Sequence, residues 1–264
     1  MTEVVYQAIA QATHGYVEAP AGCGKTDAIV RAVGSYCDDK QLILTHTNAG
    51  VDVLRQRFRL HNIPSSKYHI DTISGWAWGW VRKYPINSEY DGSTDIPVWG
   101  NIYGAMSKLL EKGFVQQVVL NSYAGVIVDE YQDCTLAMHS LIVHIKNFLP
   151  CRVLGDPLQG IFGFNNQDSL IEWPAVESEF GNSLGVLTEP YRWIKAGNEP
   201  LGRWLLETRP TFLQGQEPDF RGSPIESITV PYSALGSKLM GVALFSRWRS
   251  ATMFYFHVGA LVLA

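Results

Sequence analysis

Eight residues set the tightest limit on what this chain folds into: Ala19-Pro-Ala-Gly-Cys-Gly-Lys-Thr26. Before them, Gly15-Tyr-Val-Glu-Ala19 reads as a short strand, and after them Asp27 to Tyr36 repeats apolar residues at helical spacing. A strand that hands over to a helix through a loop with two glycines can turn its backbone N–H groups inward around an anion. The helix that opens there adds a partial positive charge facing the same point. Lys25 is placed to reach the outer phosphates of a nucleotide, and the Thr26 hydroxyl to ligate magnesium. The ligand implied is ATP with Mg2+, cradled by Ala19, Gly22, Cys23, Gly24, Lys25 and Thr26. The bare pattern for such a loop begins with Gly, and Ala19 stands in that position.

A second element complements the first. Val126-Ile-Val is a short apolar run that ends on Asp129 and Glu130. A carboxylate at the end of a buried strand, beside the phosphate loop, can hold magnesium through water. Its neighbour can polarise the water that attacks the terminal phosphate. Asp129 is thus the metal candidate, with Thr26, and Glu130 the general base.

Similar short runs recur at 41–45, near 69–72, at 151–155 and at 183–187, with helical stretches at 1–14 and 51–60. Continuous apolar strands alternating with helices predict an α/β fold, a P-loop parallel sheet flanked by helices on both faces. Residues 77–123 differ in composition, being rich in aromatic residues, Gly and Pro. They read as a small insertion whose one evident helix covers Asn101 to Lys112. Trp76, Trp78 and Trp80 straddle two faces of a helix and so read as partly core.

The formal net charge is −4, so a nucleic-acid partner must be met by a local groove rather than by bulk attraction. Cys23, Cys37, Cys134 and Cys151 are scattered, with no Cys-x-x-Cys pair, and read as free thiols rather than zinc ligands. The first residues carry no basic stretch followed by an apolar one, which predicts a cytoplasmic protein. Residues 251–264 are almost wholly apolar but short of the roughly 20 needed to span a bilayer, so they read as a buried strand rather than a membrane contact.

Five further segments sharpen the reading. Asp129-Glu-Tyr-Gln-Asp133 resembles the D-E-[FY]-Q-[DN] box of the UvrD/Rep/PcrA branch of superfamily 1 DNA helicases, which also uses an A-x-x-G-x-G-K-T loop. Gly155-Asp-Pro-Leu-Gln-Gly-Ile-Phe-Gly-Phe164 is similar to its third motif, Leu44-Thr-His-Thr-Asn48 to its T-x-T-N element, Thr72-Ile-Ser-Gly75 to T-F-H-G, and Pro190-Tyr-Arg192 to N-Y-R. The resemblance implies a RecA-like ATP-binding domain that hydrolyses ATP and moves on single-stranded DNA. It implies that Gln159 senses the terminal phosphate, that Arg192 contacts it, and that Tyr191 stacks on adenine. Gln7 is the candidate for reading adenine, with Gln11 as the competing choice. Thr47, Asn48 and Thr72 would line the path of the strand, and Phe164 would be either a stacking platform or a core aromatic.

Ile73, Ser74 and Pro190 depart from the family residues at their positions. No counterpart of the family's later motifs follows Arg192. Residues 1–200 therefore read as the RecA-like domain and 201–264 as a C-terminal extension, the start of an incomplete second domain. Stepping along DNA needs two domains that close on ATP, so a second motor subunit is the implied partner. The competing expectation is a non-unwinding switch that uses ATP to dock on DNA or on a nuclease. A small-molecule kinase gives no reason for the 155–164 and 190–192 segments.

Overall fold

The computed structural model describes residues 2–90, 98–160 and 169–224, together with the backbone of 227–229, 253–255 and 260–263. The chain divides into two compact units, Met1–Glu189 and Pro190–Ala264.

In the first unit, six strands form one sheet: β1 (His14–Glu18), β2 (Gln41–Thr45), β3 (Tyr68–Thr72), β4 (Gly125–Val128), β5 (Cys151–Gly155) and β6 (Ser183–Val186). Their order is β3-β2-β4-β5-β1-β6 and every pairing is parallel. β5 thus lies between β1, which leads into the phosphate loop, and β4, which ends on the acidic pair. This is the expected RecA-like P-loop arrangement. Parallel strands need crossovers, and helices supply them: α1 (Thr2–Gln11) precedes β1, while α2 (Lys25–Tyr36), α3 (Asn48–Leu60), α4 (Ile73–Lys83), α5 (Pro85–Ser88), α6 (Trp99–Leu110), α7 (Gly113–Ser122), α8 (Leu136–Lys146) and α9 (Trp173–Phe180) follow.

The strand residues explain why both faces must be covered. β2, β4 and β5 are buried throughout, as continuous apolar runs require. Leu42, Leu44, Val126, Val128 and Val153 join a core shared with α4, α6, α7, α8 and α9. Ile43, Ile127 and Leu154, one position on in each strand, are also buried and by strand alternation face the other side. α1 packs against α2, and α2 against α3. At the edge opposite the strand C-termini, the guanidinium of Arg152 is almost wholly buried. Its Nε donates to Ile9 O (2.8 Å) and its Nη2 to Gln41 Oε1 (2.8 Å), which pins α1 and β2 to β5. An unpaired guanidinium there would carry a large desolvation cost, so these two acceptors are what make the position tenable.

The 77–123 stretch holds more structure than its composition suggests. It contains most of α4 and all of α5, α6 and α7 rather than a single helix. Ile102, Tyr103, Met106 and Leu109 sit in the same core as β2 and β4. Aromatic residues at helical positions filled that core: Trp76 is buried, and Trp78 and Trp80 are half-buried against it. Trp80 stacks on Tyr84 and Tyr84 meets Phe114 edge-on.

The second unit begins with two helices, α10 (Tyr191–Lys195) and α11 (Glu199–Leu213). Trp193 and Leu201 form its small core with Trp204, Leu205 and Phe220. The described backbone of its remainder is an antiparallel sheet of β7 (Ser227–Thr229), β8 (Met253–Tyr255) and β9 (Ala260–Leu263), ordered β7-β9-β8. The apolar tail therefore contributes strands.

Candidate functional site

The registers bring four loops to one edge. Glu18 pairs with Gly155, Leu44 with Val128, and Val128 with Val153. Residues 19–24, 46–47, 129–133 and 156–160 therefore leave the sheet along a single line, where open α/β sheets place their ligands.

The loop after β1 is shaped by its own backbone. Ala19 N–H donates to Gly155 O (2.8 Å) and Cys23 N–H returns to Pro20 O (3.0 Å). Gly22 and Gly24 take φ of 75° and 82°, the left-handed region that a side chain would penalise by about 1–2 kcal/mol. Gly24 then opens α2 with no side-chain cap, which leaves the first-turn N–H groups to face the loop. Lys25, the first residue of α2, is 9% exposed, and its ammonium pairs with Glu130 Oε2. Thr26 follows one position on.

Asp129 ends β4. Its N–H donates to Leu44 O (2.8 Å), and its Oδ1 accepts from Glu130 N–H (2.9 Å). Burial pushes its carboxyl well above the usual range, to about 6, which the Lys25 charge opposes and the Glu130 charge reinforces. Glu130 adopts φ 54° and ψ 45°, a left-handed conformation of the kind that persists where surrounding contacts impose it.

Two residues without an assigned role in the motif reading join these parts. Gln132 donates from Nε2 to Glu130 Oε2 (2.8 Å) and to Asp133 Oδ2 (3.2 Å), while its Oε1 accepts from Asp156 N–H (3.0 Å). Asp156, buried after β5, accepts at Oδ2 from Ala21 N–H (3.0 Å) and from Gln159 Nε2 (2.7 Å), and at Oδ1 from Leu158 N–H (3.1 Å). A closed circuit results: phosphate loop, Asp156, Gln132, Glu130, Lys25, phosphate loop. Both residues lie inside quoted motifs, but nothing in a sequence says which side chains of a motif bond to one another. Asp133 is buried; burial raises its carboxyl and His46 opposes the shift, with Nδ1 3.9 Å from Oδ2.

The other expected residues fall as follows. Gln7 and Gln11 are exposed on or at the end of α1. Thr47 caps α3, with Oγ1 accepting from Gly50 N–H (3.1 Å), and both it and Asn48 are exposed. Thr72 is 8% exposed and its hydroxyl is engaged as the cap of α4, accepting from Gly75 N–H (2.8 Å). Gln159 is half-buried in a single 3-10 turn, Pro157–Gln159. Tyr191 and Arg192 open α10 of the second unit and are exposed. Phe164 lies outside the described residues.

The residues fit ATP and magnesium. A buried ammonium, uncapped helix amides, a buried carboxylate after β4 and a hydroxyl in the first turn of α2 are donors for a polyphosphate and a hard oxygen-seeking cation. Among the described residues no three His, Cys, Asp or Glu side chains cluster as a metal nest. Magnesium suits such a site, because it takes few protein ligands and keeps water and phosphate oxygens. All four cysteines are buried and none forms a disulfide, and no helix among the described residues is long and apolar enough to cross a membrane.

Comparison with known proteins gives several similarities, among them the following. Gabija protein GajB of Bacillus cereus (strain VD045) is 29% identical over 90 residues, 28% of this chain and 18% of that protein. The solved complex of arterivirus nonstructural protein 10 (helicase) with DNA matches at TM-score 0.41 and 14% identity, over 82% of this chain and 43% of that one. The crystal structure of arterivirus nonstructural protein 10 (helicase) matches at TM-score 0.36 and 16% identity, over 70% of this chain and 36% of that one. The chain spans less than half the length of each of these relatives. The family model of an AAA domain, AAA_19, matches residues 2–165, more than half of the chain, and the protein accordingly belongs to this family of AAA domains.

Proposed function

We propose that this chain binds ATP with magnesium and hydrolyses it as a motor domain of a UvrD/Rep-like superfamily 1 DNA helicase or translocase that acts on single-stranded DNA. The observation that carries the reading is the juxtaposition of Lys25, Asp129 and Glu130 at the end of β4, beside a loop whose first-turn amides are uncapped. Lys25 and the backbone of 22–26 bind the outer phosphates. Thr26 and Asp129 hold magnesium, which supplies positive charge against the phosphate oxygens. Glu130 takes a proton from the attacking water at a carboxylate oxygen; the bond to the terminal phosphorus forms as the one to the leaving ADP oxygen breaks. Gln159 reads the terminal phosphate, and its bond to Asp156 supports this role because Asp156 also holds Ala21. The roles of Gln7, Tyr191 and Arg192 at the nucleotide, and of Thr47, Asn48, Thr72 and Phe164 on DNA, are supported by the motifs themselves. A second motor subunit or a nuclease is the proposed partner.

The test is ATP hydrolysis by the purified chain with and without single-stranded DNA, beside Lys25→Ala. Turnover stimulated by DNA and lost in the variant supports a motor. Lys25-dependent turnover that DNA does not change favours the ATP switch, and hydrolysis indifferent to Lys25 rejects the site.

A further inference from the structure

We infer that Gln132 is a positioning residue for Glu130: its amide holds the carboxylate in place when Lys25 leaves it for nucleotide. The inference rests on the proposed ATP hydrolysis and extends it to a residue that touches no reactant.

Glu130 Oε2 is held from two sides, by the Lys25 ammonium and by Gln132 Nε2 at 2.8 Å. A polyphosphate competes for Lys25 with several anionic oxygens, so the first of these holds is surrendered on binding. The second is independent of nucleotide. Gln132 is 4% exposed, and every polar atom of its side chain is used: Nε2 serves Glu130 and Asp133 Oδ2 (3.2 Å), and Oε1 accepts from Asp156 N–H (3.0 Å). These partners also fix which way the amide faces. Reversed, it would set its oxygen against two carboxylates and its NH2 against an N–H donor. A buried amide with all its partners in place has little freedom to rotate. Its anchor is the main chain of Asp156, whose side chain holds Ala21 of the phosphate loop and Gln159. The backbone leaves little room for an alternative: a Cβ on Gly155 would lie 2.9 Å from Gln132 Oε1 and 2.6 Å from Trp173. The general base is thereby kept in register with the loop that contacts phosphate, through one amide.

Removing the amide should damage the chemical step more than binding. In single-turnover assays with excess full-length chain, Gln132→Ala is expected to lower the hydrolysis rate by about 10- to 100-fold, with affinity for a fluorescent ATP analogue changed by no more than about threefold. Gln132→Glu, which keeps the shape but adds a carboxylate among Glu130 and Asp133, should lose more than Gln132→Ala. Gln132→Met keeps the volume without the amide and should match Gln132→Ala; thermal melting of each variant reports that the fold is retained. Because Gln132 acts through Glu130, adding Gln132→Ala to Glu130→Gln should cost nothing further. Wild-type turnover with Gln132→Ala within about threefold of it, or an equal loss in the Glu130→Gln background, overturns this inference alone. Wild-type chain with no Lys25-dependent hydrolysis overturns both it and the proposed activity.

Discussion

The N–H of Ala21 donates to Asp156 Oδ2 at 3.0 Å, a bond that ties the phosphate loop to the end of β5 across 135 residues of sequence. Asp156 also receives Leu158 N–H and Gln159 Nε2. Replacing it with Ala removes three part-buried hydrogen bonds to a carboxylate, each worth roughly 1.5–3 kcal/mol. Asp156→Ala is expected to lower the urea midpoint of the chain and to weaken nucleotide binding about tenfold or more as the loop loses its anchor. Affinity equal to wild type in a folded variant would show that the loop holds its shape without Asp156.

The raised carboxyl of Asp129 makes a prediction about stability without ligand. Its folded value, about 6, exceeds the ordinary 3.8, so the folded state keeps a proton that the unfolded chain releases between those values. The stabilisation tied to this group is full below about 3.8 and lost as pH rises through 6. At pH 7.5 the folded chain therefore buries an ionised carboxylate at a cost on the order of 3 kcal/mol. Asp129→Asn keeps the acceptor for Glu130 N–H and removes that cost. Its melting temperature without nucleotide should exceed wild type at pH 7.5, the gain fading towards pH 4, while hydrolysis is lost. A variant that melts lower at pH 7.5 would refute the assignment of Asp129 as a strained ligand.

Met106 tests how far the helical stretch after Tyr90 belongs to the sheet. It is fully buried in the core that contains Val126 and Val128. Met106→Ala is expected to destabilise the first unit by about 2–5 kcal/mol, read from chemical denaturation. A change confined to a separate minor transition would mean that α6 folds as its own body.

Much of this arrangement is legible in the residues, and the reason differs by element. Continuous apolar runs ending in Thr45, Asp129 and Gly155 announce buried parallel strands, because a strand covered on both faces has no polar alternation to confuse with a helix. The glycines of 22–24 announce the loop, because few other residues adopt its backbone. Within 77–123 the helix at 101–112 is legible and corresponds to α6, whereas α5 and α7 are obscured by a composition that in isolation reads as irregular. Trp76, Tyr103 and Met106 become helical core only through packing on strands far away in sequence. The circuit through Gln132 and Asp156 is less legible still. It depends on β5 lying between β1 and β4, a neighbourhood that no local pattern encodes. Thr72, expected on the strand path, spends its hydroxyl on capping α4, and the sequence does not distinguish a cap from a contact.

The most direct measurement is phosphate release from ATP and magnesium by the purified chain, with Lys25→Ala and Glu130→Gln run beside it and ATP-analogue binding recorded for each. Hydrolysis by the wild type, its loss in both variants, and nucleotide binding retained in Glu130→Gln but weakened in Lys25→Ala are the results expected of a phosphate-binding lysine and a general base. Hydrolysis that persists in either variant would contradict the assignment of the site at the ends of β1 and β4.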